Sequence, residues 1–303
     1  MLNLALDIGG TKIAVGLVDP AGELVHTFVE ATPKNDDAER VWDRLDRMIA
    51  DAAKAASGAI RAVGIGCAGP VDAVAGTVTP INIPSWQGFP LLDRVAAAMP
   101  KVPVQLAGDG VCMALGEHWR GAGGGARFML GMVVSTGVGG GLVLDGKPYH
   151  GRTGNAGHVG HVVVEPGGQR CTCGGHGCVE TVAAGPWMTR WALSNGWDGP
   201  PDADAVALAD AAQAGQPVAL KAFYRGATAL AAMIASVGAV CDLDLVVIGG
   251  GVARAGPLLF DPLRVALADY AGLSFIRGMR VVPAVLGGDA GLIGAAALVS
   301  GAT

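Results

Sequence analysis

Aromatic side chains are scarce in this chain: Phe, Trp and Tyr together make up 5% of its 303 residues. So few rings cannot build a base-stacking surface. Charge is scarce as well. Only 16% of residues are charged, the formal net charge is −5 and there is no basic run. That composition argues against a nucleic-acid partner and against an anionic membrane surface. The opening MLNLALDIGG lacks a basic start and a cleavage site, so it does not read as a signal peptide. The most apolar long run, residues 227–241, falls short of the roughly 20 residues a membrane span needs. Its small residues suit a helix packed inside a soluble fold. A cytoplasmic protein is expected, in which cysteines are thiols or metal ligands rather than disulfides.

Glycine and apolar residues are what the chain has in quantity. The 49 glycines follow no collagen-like period and read as many tight turns. Hydrophobic residues make up 51%, and the length allows one large domain or two ordinary ones, ample for a buried core.

The start reads as strands at 2–7, 13–18 and 23–30, an antiparallel meander around tight turns. Residues 37–56 have helical spacing, with Val41, Leu45, Met48 and Ile49 on one face. A buried strand is expected at 61–67, a helix at 91–98, a strand at 102–107 and a helix at 111–119. The glycine run at 121–125 is the best candidate for a domain boundary. The second half repeats the opening pattern, with a strand at 128–134, a glycine turn at 135–140 and a returning strand at 141–144. Helices at 203–214, 217–240, 257–270 and 290–299, with strands at 243–248 and 279–283, complete it. The reading is an internal duplication of architecture, giving an α/β fold. The expected domains are 1–120 plus 286–303, and 121–285.

Three glycine turns sit at strand ends. Asp7, Gly9, Gly10, Thr11 and Lys12 place a carboxylate beside a sharp turn with two donors. Such a turn can face a phosphate, with the acid holding Mg²⁺ directly or through water. A plain hairpin turn explains it equally well. The turn with Thr136, Gly137 and Gly139 lies between strands, unlike a dinucleotide fingerprint, and there is no Walker motif. Gly249 and Gly250 follow a buried strand and lead towards a helix. Together the three turns suit a nucleotide bound between two domains.

With ALDIGGTK, VSTGVGGG, VIGGGVA and AGHVGH followed by CTCGGHGCVE, the chain resembles ROK-family sugar kinases over nearly its whole length. The resemblance implies a two-domain actin-like, ribonuclease H-like ATPase fold, with ATP and sugar in the interdomain cleft and a zinc-binding loop. It further implies that Asp7, Gly9, Gly10, Thr11, Lys12, Thr136, Gly137 and Gly139 flank the ATP phosphates and that Gly249 and Gly250 lie near the adenosine. The implied reaction is ATP-dependent phosphorylation of the 6-hydroxyl of a hexose or N-acylhexosamine. A homodimer is implied too.

Phosphoryl transfer to an alcohol needs a carboxylate to accept the hydroxyl proton. Asp109, between a strand and a helix, suits that role; on local grounds it suits a helix N-cap better. The resemblance assigns it as the base. The sugar site would use Gly69, Asn82, Asp109, His158, His161 and Glu180. Two positions depart from the common family pattern. Gly108 stands where an Asn usually precedes the base, and His158 stands where many members carry Glu. The His form resembles that of the N-acetylmannosamine kinases. A neutral imidazole offers one donor and one acceptor where Glu only accepts, so it should favour a different hydroxyl pattern near C1 and C2. N-acetylmannosamine or glucose is the expected acceptor.

Cys171, Cys173 and Cys178 gather three of the six cysteines in one loop. Three thiolates and one imidazole form a closed tetrahedral site of the structural zinc type. His161, His176 and His158 each offer a fourth ligand; the resemblance selects His161, ahead of an expected short strand at 162–164. Cys67, Cys112 and Cys241 read as core residues. Two other functions compete with catalysis. A sugar-responsive transcriptional regulator of this family carries a winged helix before the kinase core, and the first strand here begins at once. A sugar-binding protein without catalysis is kept open by Gly108 and His158.

Overall fold

The computed structural model describes residues 1–34, 37–56 and 60–301. The chain forms two compact units, Met1–Arg127 with Gly141–Gly157 and Leu286–Thr303, and Phe128–Gly140 with His158–Val285.

The first unit is built on a five-stranded sheet. Its strands are β1 (Leu2–Ile8), β2 (Lys12–Val18), β3 (Leu24–Ala31), β4 (Ile60–Cys67) and β7 (Val104–Gly108), in the order β3-β2-β1-β4-β7. A small hairpin, β5 (Val71–Asp72) with β6 (Thr77–Val78), lies between β4 and β7 in sequence. The first three strands run antiparallel, as short glycine turns require. β4 and β7 run parallel to β1, reached through α1 (Ala38–Ala55) and α2 (Leu91–Ala98).

Helix α1 forms where its apolar residues recur every three to four positions. Asp37 caps it, its carboxylate accepting from the Arg40 N–H at 2.8 Å. Val41, Leu45, Met48 and Ile49 are buried in the core, each worth roughly 1.5–3 kcal/mol against exposure. Trp86 stacks on Phe89 in the same core, ring centroids 4.3 Å apart. Two further helices complete the unit, α3 (Asp109–Arg120) and α10 (Ala290–Ser300). They pack through small residues: a Cβ at Gly294 would lie 1.5 Å from the Cys112 carbonyl oxygen. Only glycine permits that approach.

The second sheet has the same plan. Its strands are β8 (Phe128–Val134), β9 (Val138–Leu144), β10 (Lys147–Tyr149), β11 (Leu245–Gly249) and β12 (Arg280–Pro283), in the order β10-β9-β8-β11-β12. In each sheet the order is third, second, first, fourth, fifth strand. β11 runs parallel to both β8 and β12. The helices of the second unit are α4 (Glu180–Ala183), α5 (Gly185–Ser194), α6 (Ala205–Gln213), α7 (Pro217–Cys241), α8 (Pro257–Tyr270) and α9 (Ser274–Arg277).

Several elements differ from expectation. The glycine turn at 135–140 is shorter, because β9 starts at Val138. α3 starts at Asp109, two residues early, so this residue is the first of the helix, and Gly108 takes the N-cap position. Residues 162–164 do not form a strand; Val163 makes one isolated bridge to Cys178 after a 3-10 turn at Val159–His161. Helix α7 is longer than its apolar run and passes, by length and composition, for a membrane-crossing helix, with half of that window buried within the protein.

Candidate active site and metal centre

In the first unit, several of the expected site residues gather at the carboxyl ends of the parallel strands. Ile8 pairs with Cys67, and Cys67 pairs with Gly108. Asp7 therefore lies one residue before that rung and Asp109 one residue after it. Ligands of open α/β sheets bind at this edge.

The turn after Asp7 is tight: the Gly9 N–H donates to the Lys12 carbonyl at 3.0 Å. Thr11 and Lys12 are exposed. Gly10 lies against Asn82, whose Cβ would come within 2.4 Å of a Cβ at Gly10. Gly69 joins the same neighbourhood, its carbonyl accepting from the Ile81 N–H at 3.3 Å. Burial, first, and the charge of Asp109, second, push the Asp7 carboxyl up to a pKa of about 6, against the opposing charge of Lys12. Asp109 is exposed. Its Oδ1 accepts from the N–H of Gly110 at 2.7 Å, at the first position of α3. Gly108 is buried, yet a Cβ there would meet no described atom within 4 Å beyond its chain neighbours.

A fourth glycine turn, at 287–291, carried no expectation although its composition was readable. The Lys12 ammonium donates to the Gly288 carbonyl at 3.3 Å. A Cβ at Gly291, in the first turn of α10, would come to 2.6 Å from Asp7 Oδ2. The amino end of α10 thus faces the Asp7 carboxylate, an arrangement that favours negative charge.

In the second unit the other two expected turns meet. A Cβ at Gly250 would lie 2.4 Å from the Val134 carbonyl, and φ at Gly250 is +98°, a conformation suited to glycine. Gly249 pairs with Val133 on β8. Thr136 is exposed at the tip of the first turn, where the Ser135 N–H donates to the Gly137 carbonyl at 2.9 Å. Gly139 lies inside β9 rather than in the turn. Glu180, expected beside the sugar, reaches this turn: its Oε2 accepts from the Val138 N–H at 2.9 Å.

His161, Cys171, Cys173 and Cys178 bring one nitrogen and three sulfurs within 4.8 Å of one another. Cys173 Sγ lies 3.7 Å from Cys178 Sγ, and Cys171 Sγ lies 3.7 Å from His161 Nδ1. Four ligands around tetrahedral zinc at about 2.3 Å require sulfur separations of about 3.8 Å, so the donor set fits. His176 is not in this group among the described residues; its backbone bridges to Arg170 instead. Burial, first, and hydrogen bonds with Cys173 and Cys171 raise the Cys178 thiol to about 12, whereas a backbone hydrogen bond at Gly175 lowers Cys173. The His158 ring lies 6.4 Å from that of His161, centroid to centroid. His158 is exposed.

One feature of this unit had no clear sequence signal. A cavity of about 660 Å³, lined mainly by apolar residues including Leu220, Phe223, Tyr224, Pro257 and Pro262, opens beside the 3-10 turn that follows Gly251. Its walls come from α6, α7 and α8, elements far apart in sequence.

The sequence profile of the ROK family matches residues 3–302. A protein named glucokinase from Thermotoga maritima is 36% identical over 310 residues, covering 98% of this chain and 96% of that one. A protein named N-acetylmannosamine kinase from Yersinia pestis is 36% identical over 295 residues, covering 97% of each. A ROK family glucokinase from Streptomyces griseus, solved in complex with glucose and AMPPNP, superposes with a TM-score of 0.82 at 36% identity, covering 98% of this chain and 99% of that one.

Proposed function

Because this chain belongs to the ROK family, we propose that it is an ATP-dependent sugar kinase acting on the 6-hydroxyl of a hexose or N-acylhexosamine, with Asp109 as the base. The observation that carries the reading is the pair of carboxylates at one sheet edge, one buried and raised, one exposed at a helix start. Two carboxylates in unlike environments suit two roles.

Asp109 accepts the proton of the attacking hydroxyl and holds its oxygen in line. It is exposed at the first position of α3, within reach of solvent and ligand. Asp7, facing the first turn of α10, is suited to hold Mg²⁺, directly or through water. Bound there, the ion offsets charge on the transferred phosphoryl group. Gly9, Gly10 and Thr11, with Thr136 and Gly137, offer backbone and hydroxyl donors to phosphate oxygens, and Lys12 adds positive charge. The apolar cavity beside the 3-10 turn that follows Gly251 suits a flat nucleobase.

His161 would hold zinc through Nδ1, leaving Nε2 for a sugar hydroxyl. The zinc loop is structural in this account and closed to substrate. His158 in place of a carboxylate favours an acceptor other than the one a Glu would bind, and N-acetylmannosamine is preferred over glucose for that reason. Gly108 removes one amide from the sugar contacts without filling its space.

Coupled ADP release across a sugar panel, with Mg²⁺-ATP as donor, tests the reading. Turnover with N-acetylmannosamine or glucose is expected. No sugar giving turnover above an Asp109→Ala control would overturn it.

A further inference from the structure

Asn155 is half-buried and stands three residues before His158. Its side-chain amide faces the backbone of a single residue. Oδ1 accepts from the Val71 N–H at 3.0 Å, and Nδ2 donates to the Val71 carbonyl at 2.7 Å. An amide carries a donor and an acceptor side by side, so it meets both main-chain groups as a neighbouring strand would. Val71 is the first residue of β5, and Asn155 serves that strand as a further partner beside β6.

Other contacts join the same two segments. The Ala73 N–H donates to the Thr153 carbonyl at 3.4 Å. A Cβ at Gly154, where φ is +93°, would lie 2.9 Å from the Ala73 Cβ. Nδ2 of Asn155 also reaches the Thr153 carbonyl at 3.3 Å and its hydroxyl at 3.2 Å, which steadies the plane of the amide. The segment it grips is anchored elsewhere too. The Thr79 N–H donates to the Pro70 carbonyl at 2.9 Å, and the Ile81 N–H to the Gly69 carbonyl at 3.3 Å. Residues 69–71 are thus tied by backbone bonds to the run that carries Asn82. They are tied by the Asn155 side chain to the run that leads to His158. The chain leaves the first unit just beyond that point, after Gly157.

We propose that Asn155 is a positioning residue for the acceptor: its amide pins the run leading to His158 onto the anchored 69–71 segment. The inference rests on the kinase reading above. In this account Asn155 touches neither the acceptor nor the reacting atoms. Its loss should therefore weaken the acceptor and leave the transfer step nearly untouched.

Steady-state kinetics on the zinc-loaded full chain test it, with Mg²⁺-ATP and the acceptor that the wild type uses best. Asn155→Ala should raise KM for the acceptor about tenfold, the loss of the paired bonds to Val71. KM for ATP and kcat should stay within about twofold of wild type. Asn155→Asp keeps an acceptor for the Val71 N–H but sets an oxygen against the Val71 carbonyl. It should be impaired at least as much as Asn155→Ala, and it carries the test if the Ala variant misfolds. In a His158→Ala background, Asn155→Ala should cost the acceptor about threefold or less, because the group it positions is gone. A merely structural role would raise both KM values together and add in full to His158→Ala. Hydrogen exchange over residues 69–73 of the free chain should be about tenfold faster in both Asn155 variants. An unchanged acceptor KM, an ATP KM rising in step with it, a wild-type-like Asp variant, full additivity with His158→Ala or unchanged exchange would each overturn the inference. A wild type that turns over no sugar would instead defeat the kinase reading, and the acceptor role with it. The exchange measurement would still decide whether Asn155 holds the two segments together.

Discussion

Burial of Asp7, and then the charge of its neighbour Asp109, lift the Asp7 carboxyl to a pKa of about 6, with Lys12 pulling the other way. The two acids come from different strands, yet the parallel register through β4 sets them at one edge. A buried carboxyl held against its own ionisation is a stability cost above its folded pKa.

That cost is measurable. Asp7 takes up a proton on folding between its ordinary value near 4 and its folded value of about 6. Stability contributed by this group therefore falls as pH rises through that window, to a full cost of ~3 kcal/mol above it. In buffer without nucleotide or magnesium, Asp7→Asn should be more stable than wild type at pH 8, by up to ~3 kcal/mol in urea unfolding. The difference should shrink towards zero near pH 4. An Asn variant less stable than wild type at pH 8 would contradict the assignment.

The metal loop gives a second expectation. Cys173→Ser removes one of three sulfurs, and a serine hydroxyl is a poor zinc ligand. Bound zinc should drop to a small fraction of wild type, with Tm lower by about 5 °C or more. Because burial and neighbouring sulfurs hold the Cys178 thiol near 12 without metal, zinc uptake by stripped protein should release protons into weak buffer. Near-normal zinc in Cys173→Ser by metal analysis would remove the site.

Gly108→Asn is expected to be tolerated. A Cβ there meets no described atom within 4 Å beyond its chain neighbours, and Asn is at least as good as Gly at an N-cap. Stability should change by less than about 0.5 kcal/mol. The added amide should lower KM for the acceptor several-fold and leave kcat close to wild type, the sign of a binding contact rather than of chemistry. A large loss of stability would show that the space is not open.

Much of this was legible in the sequence. The strand–turn–strand opening of each half could be read because apolar runs of strand length were punctuated by glycine, and the paired sheet orders follow from it. The cysteine loop could be read as a candidate metal site from ligand type and crowding, while the choice of His161 among three histidines came from the resemblance; the structure groups His161 with the three sulfurs. What stayed hidden depended on contacts across distance. Glu180 on the Val138 N–H joins residues 42 apart, and nothing local to either marks the bond. The apolar cavity escaped notice because α6, α7 and α8 each supply ordinary helix-face residues. Residues 162–164 look like a strand by composition, yet their neighbours offer one bridge rather than a ladder. Asp109 shows the limit of reading caps: a Gly took the cap position, and the acid opened the helix instead.

The most direct test of the central claim is the identity and rate of formation of the product. With Mg²⁺-ATP and N-acetylmannosamine or glucose, phosphorus NMR should show one sugar phosphate, esterified at the 6-hydroxyl, appearing with ADP in equal amount. Asp109→Ala should slow it by about 10²–10⁴-fold while binding the sugar within a few-fold of wild type. No sugar phosphate from the wild type, or equal turnover in Asp109→Ala, would contradict the account.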